Sequence, residues 1–207
     1  NIFVQPAAHD AGGAIGAALY AHSIKGPSPS TEKLDHLYFG TPLPRNDEIA
    51  KVLSRWQPAI KIKKSYSICR ETAELLANGA VVGWVQGRSE FGPRALGNRS
   101  ILADPRPAEN KKRINNMIKK RESYRPFAPS VLEERAKDYF HIHTESKSLP
   151  FMNLVVTVRE PKRTELGAIT HVDGSARIQT VSKKTNQRYW RLINEFEKLT
   201  TTPMLLN

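Results

Sequence analysis

Three glycines, three arginines, a glutamate and a proline fall within one short stretch, Gly87-Arg88-Ser89-Glu90-Phe91-Gly92-Pro93-Arg94-Ala95-Leu96-Gly97-Asn98-Arg99-Ser100. Arginine supplies a planar, permanently charged fork that matches phosphate or carboxylate, and glycine lets the backbone come close to a ligand. A turn that only reverses the chain needs neither, so the stretch reads as an anion site; a surface turn with solvated charges is the plainer alternative. Glu90 either holds an arginine in place or accepts a hydrogen bond from a ligand. Two more groups of cations follow: Lys119-Lys120-Arg121 with Arg125 ahead of Pro126, and Arg177 beside the Asp173-Gly174 turn. Helix C-terminal capping accounts for one or two of the first group and leaves Arg125 unexplained. Arg177 fits an exposed edge charge and a ligand contact equally well. Near the start, Asp10 is placed to cap a helix, and Gly12-Gly13 allow an anion to approach its N-terminus, although a tightly packed strand-to-helix turn is the simpler reading.

The elements that must position these residues are short. Ala80–Val85 and Ile101–Ala103 read as strands on either side of the arginine loop. Helical spacing marks Ala14–His22, Asp47–Trp56 with Ile49, Val52, Leu53 and Trp56 inward, and Ser67–Asn78, which Gly79 ends. Pro107 starts a helix to about Ile118, with Ile114, Met117 and Ile118 on one face. A short helix is expected over Leu132–Phe140 and a strand over Phe151–Val158. Two strands, 168–172 and 176–181, flank Asp173-Gly174 as a hairpin that puts Arg177, Gln179 and Val181 on one face. Arg188–Leu199 is amphipathic, with Leu192, Ile193, Phe196 and Leu199 inward, and Ile2-Phe3-Val4 and the closing Met204-Leu205-Leu206 read as strands. The Pro/Gly-rich stretch 26–46 reads as a linker. The fold class is therefore α/β, a twisted mixed sheet with flanking helices.

Composition narrows the classes. The chain has 207 residues, 39% of them hydrophobic, and no apolar run long enough to span a bilayer. The single cysteine, Cys69, excludes an internal disulfide and a Cys-rich zinc site, which fits a cytoplasmic protein. A net charge of +12 invites nucleic acid as a partner. The positive charge is scattered, however, and Lys111-Lys112-Arg113 reads as a solvated helix face. No Walker A sequence and no Ser-His-Asp or Cys-His nucleophile pair is legible.

The run Gly87–Arg106 closely resembles the signature of the ATP-dependent O-carbamoyltransferases of nodulation-factor and antibiotic biosynthesis. The resemblance continues through Lys119–Ser130 and through His171-Val172-Asp173-Gly174-Ser175-Ala176-Arg177-Ile178-Gln179-Thr180-Val181, in the same order. It implies a YrdC/Sua5-like domain over 47–207, whose Lys-x-Arg pair resembles that fold's anion-binding motif. This domain would form carbamoyl-adenylate from carbamoyl phosphate and ATP. It also implies that residues 1–25 are the tail of an actin/Hsp70-like, metal-binding domain that carries the carbamoyl group to a hydroxyl on a sugar, nodulation factor or antibiotic-like acceptor. On this reading the chain is a fragment, with its own N-terminal domain as a partner, a homodimer as a further possibility, and site residues missing beyond Asn207. Asp10 becomes a ligand of a divalent metal (iron or magnesium), Gly12 and Gly13 nucleotide contacts, and His9 departs from the small residue expected there. Lys119, Arg125 and Arg94 are implied as catalytic, and Arg88, Glu90, Arg94, Lys119, Arg121, Arg125 and Arg177 as substrate-binding. Arg94, Lys119, Arg125 and Arg177 are expected to converge on one pocket, with Arg88 and Arg121 close by. The alternative is a YrdC-like RNA-binding module or a tRNA-modifying threonylcarbamoyl-adenylate protein, whose affinity would fall steeply with salt.

Overall fold

The structure is a computed structural model that describes residues 4–26, 34–143 and 148–207. Its centre is strand β3 (Pro129–Leu132), buried along its whole length. On one side β3 pairs in parallel with β7 (Gln179–Val181), and on the other antiparallel with β8 (Met204–Leu206). Side chains alternate across this small mixed sheet, as strand geometry requires. Val131, Met204 and Leu206 face a cluster with Ile114, Phe140, Leu166, Ile169 and Ile178. Leu132, Leu205 and Val181 face the opposite cluster, built with helices α3 (Ile68–Ala77) and α7 (Gln187–Thr200). Helix α7 holds Tyr189, Leu192, Ile193 and Phe196 inward at the expected spacing, while Leu199 is half exposed.

Two further sheets flank the centre. Strands β1 (Val82–Val85) and β2 (Arg99–Leu102) pair antiparallel and present the arginine loop between them, as the sequence suggests. Strands β4 (Phe140–His141), β5 (Val155–Val158) and β6 (Ser175–Arg177) form an antiparallel set. The chain is thus mixed α/β, with its described strands in three small sheets. None of its described helices is long and apolar enough to cross a membrane.

Several expectations are corrected. The hairpin around Asp173-Gly174 is absent: 168–172 forms no strand, because Ala168 and Ile169 sit fully buried in the core as part of a turn. Beyond the turn the chain changes sheets at the buried Ile178, so Arg177 on β6 and Gln179 on β7 belong to different sheets. The expected helix to Ile118 stops at Ile114, as α4 (Glu109–Ile114), and opens into a π-helical turn over Asn115–Lys119. That widening leaves Met117 and Ile118 exposed. The helix foreseen over 132–140 shrinks to a 3-10 turn and α5 (Ala136–Tyr139), because Val131 and Leu132 are needed in the central strand.

Near the start, helix α1 runs Asp10–Lys25 and takes in Gly12 and Gly13, so no glycine loop precedes it. Its cap is His9, whose Nδ1 accepts from the Ala11 amide at 2.9 Å, and Asp10 occupies the first turn instead. Ile2 and Phe3, part of the first expected strand, lie outside the described residues, as does 27–33 of the linker. The linker's remainder is docked along the arginine loop: Leu37 is buried, the Gly40 amide donates to Ser89 O, and the Ser89 amide donates to Thr41 O. Helices α1 and α2 (Asn46–Ser54) bury no residue. Helix α6 (Glu160–Arg163) precedes the 164–169 turn.

Gly97 marks the closest approach of loop to core. Its φ is +103°, and a Cβ there would run into the ring of the fully buried Tyr189. Gly97→Ala is therefore expected to cost about 2–4 kcal/mol from backbone strain and overpacking together. A shift of the urea midpoint checks this, and a midpoint equal to that of the unmodified protein would contradict it.

Candidate functional site

The arginine loop is rigid for reasons that can be named residue by residue. Glu90 turns inward, and its Oε1 accepts from the amides of Leu96 at 2.7 Å, Asn98 at 2.8 Å and Arg99 at 3.3 Å. Asn98 donates to Arg88 O at 2.7 Å, and Gln86 Nε2 reaches Gly97 O, Asn98 Oδ1 and Asn186 Oδ1. Gln179 Nε2 and Tyr38 Oη both donate to Leu96 O, at 2.8 and 2.9 Å. Burial pushes the Tyr38 phenol up to about 12, so it remains a donor at any ordinary pH. Arg99 donates to Gln86 O at 2.6 Å and Asn98 O at 2.9 Å, and Arg88 donates to Phe39 O at 3.1 Å. Two of the three loop arginines thus bind the protein's own carbonyls. Arg94 makes no hydrogen bond or ion pair with the described residues and stands free at the loop's tip.

Arg94 faces two adjoining cavities of about 260 and 320 Å³. Lys119 lines the first, Arg125 the second, and Arg94, Arg121 and Arg177 line both. Cations from the loop, the π-helical turn, the 121–126 turn and β6 are therefore gathered in one place, and among the described residues no carboxylate side chain lines either cavity. Arg88 and Glu90 line neither. Arg99, which the sequence reading did not single out for this role, lines the first cavity, although its guanidinium is occupied by carbonyls.

Arg177 is the most constrained of the group. Its Nε is buried and has no hydrogen-bond partner. Burial first, then the charges of Arg94 and Arg121, lower its hold on its proton. Arg121 lies over the Phe127 ring, 4.9 Å from its centroid, and burial followed by the charge of Arg125 acts on it in the same direction. Arg125 has a loose, exposed ion pair with Glu122 at 3.8 Å, worth little in water. Arg94 and the Nε of Arg177 are thus donors held in place without an acceptor among the described residues.

Two residues that shape the site were not singled out from the sequence. Asn115 is fully buried at the start of the π-helical turn. Its Oδ1 accepts from Arg121 Nε at 2.6 Å, and its Nδ2 donates to Arg125 O at 2.8 Å and Ser123 O at 3.3 Å. A polar residue next to Ile114 on the inward face was the available signal. His171 lines the second cavity, with Ser175 Oγ 3.2 Å from its Nδ1. Ser175 in turn donates to Asp173 Oδ1 at 2.6 Å. Serine here lies between histidine and aspartate and gives its proton to the carboxylate, so no base activates it as a nucleophile.

Asp10, Gly12 and Gly13 line neither cavity. Among the described residues no group of three or more His, Cys, Asp or Glu is placed to hold a metal ion. Asp10, alone at the start of an exposed helix, does not fit a metal site by itself. Gly12 is packed against Ala7 O, where a Cβ would stand 2.5 Å away, and Gly13 faces open space. A larger groove of about 810 Å³ runs between α3 and α7 beside Cys69, whose thiol burial pushes up, away from a reactive thiolate.

The sequence matches the family described as Carbamoyltransferase C-terminus over residues 73–207. Over 207 residues, all of this chain, it is 59% identical to Nodulation protein NolO of Bradyrhizobium diazoefficiens, covering 38% of that protein. Against Nodulation protein NolNO of Sinorhizobium fredii it is 58% identical over the whole chain and 30% of the relative. Against Nodulation protein U of Sinorhizobium fredii it is 38% identical over the whole chain and 34% of the relative. The chain thus spans about a third of the length of these curated relatives.

Asn115 gives this site its most direct structural test. Asn115→Ala removes one bond to a charged group and two to carbonyls in a partly buried setting, and should cost about 2–4 kcal/mol. Urea unfolding checks the value; a loss below about 0.5 kcal/mol would mean that the turn is held by something else.

Proposed function

The chain belongs to the Carbamoyltransferase C-terminus family, and on that premise we propose that its arginine cavities bind carbamoyl phosphate together with ATP and form carbamoyl-adenylate. In this reaction carbamoyl phosphate, ATP and water give carbamoyl-adenylate, phosphate and pyrophosphate. Water first cleaves carbamoyl phosphate to carbamate and phosphate, and an oxygen of the carbamate then attacks the α-phosphorus as its bond to pyrophosphate breaks, so several phosphoryl groups lie together in the site. Placing that attack in line, neutralising the crowded charge and shielding a labile mixed anhydride from water are the tasks of the protein.

The observation that carries the reading is the meeting of Arg94, Lys119, Arg121, Arg125 and Arg177 without any carboxylate in the lining. Arg177, Arg121 and Arg94 are assigned to phosphoryl oxygens, and Lys119 and Arg125 to the outer edge where pyrophosphate departs. Each charge-assisted contact contributes roughly 1.5–3 kcal/mol. Lys119 and Arg125 are exposed and adjust to the leaving group, while Arg177 is held by β6. Arg88 and Glu90 serve by keeping the loop in shape.

The domain plan belongs to the same proposal: a YrdC/Sua5-like unit over 47–207, a linker over 26–46, and residues 1–25 as the tail of a preceding domain. That preceding domain would deliver the carbamoyl group to a hydroxyl-bearing acceptor, in the cytoplasm.

The test is carbamoyl-phosphate-dependent release of pyrophosphate from ATP by the full-length protein. Arg177→Ala should lower it by about a hundredfold or more, since a preplaced donor at developing charge is lost. Arg94→Lys keeps the charge, loses the bidentate fork, and should lower it by roughly tenfold. Lys112→Ala, on the exposed face of α4, should leave it unchanged. Pyrophosphate release that ignores carbamoyl phosphate, or survives Arg177→Ala intact, would overturn the proposal.

A further inference from the structure

Arginines bind phosphate, acetyl phosphate and carbamoyl phosphate alike, so the cationic wall by itself does not select a carbamoyl group. A carbamoyl group differs from its acetyl isostere by an NH2 in place of a CH3, and reading that difference takes a hydrogen-bond acceptor. The larger of the two cavities is lined by four arginines, which only donate, and by apolar side chains. Among the described residues, His171 is the one lining side chain there with a lone pair to offer.

Its tautomer follows from the neighbouring bonds. The Ser175 hydroxyl proton goes to Asp173 Oδ1 at 2.6 Å, and the Ser175 amide donates to the same oxygen at 2.9 Å. Ser175 Oγ is then left to accept, and the group 3.2 Å away is His171 Nδ1, which must carry the ring proton. His171 Nε2 is consequently a bare acceptor, with no partner among the described residues. Burial, Lys111 on α4 and Arg177 on β6 all disfavour a second proton on this ring, and only Asp173 opposes them. The ring's hold on a second proton is weakened in a cavity whose other polar side chains, among the described residues, are all arginines.

We propose that His171 is the specificity-determining residue of the site: its Nε2 accepts an N–H from the carbamoyl group of the substrate and so separates carbamoyl phosphate from acyl phosphates of the same shape. The inference rests on the assignment of the cavities to carbamoyl phosphate and deepens it. His171 is half-buried, and a bound ligand that covers its ring without pairing Nε2 pays for the lost solvation, whereas the arginines see no difference.

Equilibrium binding of carbamoyl phosphate, acetyl phosphate and inorganic phosphate to the full-length protein, followed by calorimetry, tests it. The unmodified protein should prefer carbamoyl over acetyl phosphate by about tenfold or more. In His171→Phe that ratio should fall towards one while affinity for inorganic phosphate changes by less than about twofold. Ser175→Ala, whose side chain lies outside the cavity lining, frees the ring to change tautomer and should lower the ratio in part; it decides the matter if the phenylalanine variant does not fold. An unchanged ratio in either folded variant, or equal loss of all three ligands, overturns the role of His171. Failure of the unmodified protein to bind any of the three would instead overturn the anion site itself.

Discussion

Arg177 keeps a buried Nε–H without a partner, in a wall where Arg94 and Arg121 add positive charge and no carboxylate answers them. Close like charges repel, and more strongly where burial keeps water away, as at Arg177. Stability alone gives no reason to assemble such a group, and an anion gives one. Much of the surrounding construction can be understood as resistance to that repulsion. Glu90 is withheld from the cavity and used on three amides, Asn115 fixes Arg121 from behind, and β6 is locked in its sheet. The core sheet reaches the loop through Gln179 and Leu96 O, so loop position and core packing are one problem.

What could be seen in the sequence was local. The strands around the loop, α3 and α7 follow from periodicity and from Gly79, because nearest neighbours determine them. What escaped was long-range. That β3 pairs with both β7 and β8 is settled across the chain, so Leu132 looked like the start of a helix. The change of sheet at Ile178 hid in a run that alternates as any hairpin strand would. Glu90, Asn115 and His171 have roles set by partners no pattern announces: three amides, two carbonyls and a guanidinium, and a serine–aspartate pair.

The segment ahead of the loop behaves differently from the core. Helix α1 leaves Leu19, Tyr20 and Ile24 exposed, and α2 with its following turn leaves Val52 and Trp56 exposed. Ala7, Leu37, Tyr38, Phe39 and the stretch along Ser89 are tied to the loop region, through Gly92, Leu96, Arg88 and Ser89. Sequence periodicity found these helices and could not say that their apolar faces would be left uncovered, since burial depends on what lies opposite.

The central claim is that the arginine cavities are built for a phosphoryl anion, and one measurement addresses it most directly: a crystal structure of the protein grown with inorganic phosphate. The account predicts phosphate between Arg94, Arg121 and Arg177, with an oxygen within hydrogen-bond distance of Arg177 Nε. Cavities left free of phosphate while it binds elsewhere, or Arg177 Nε bonded to a protein acceptor instead, would contradict it.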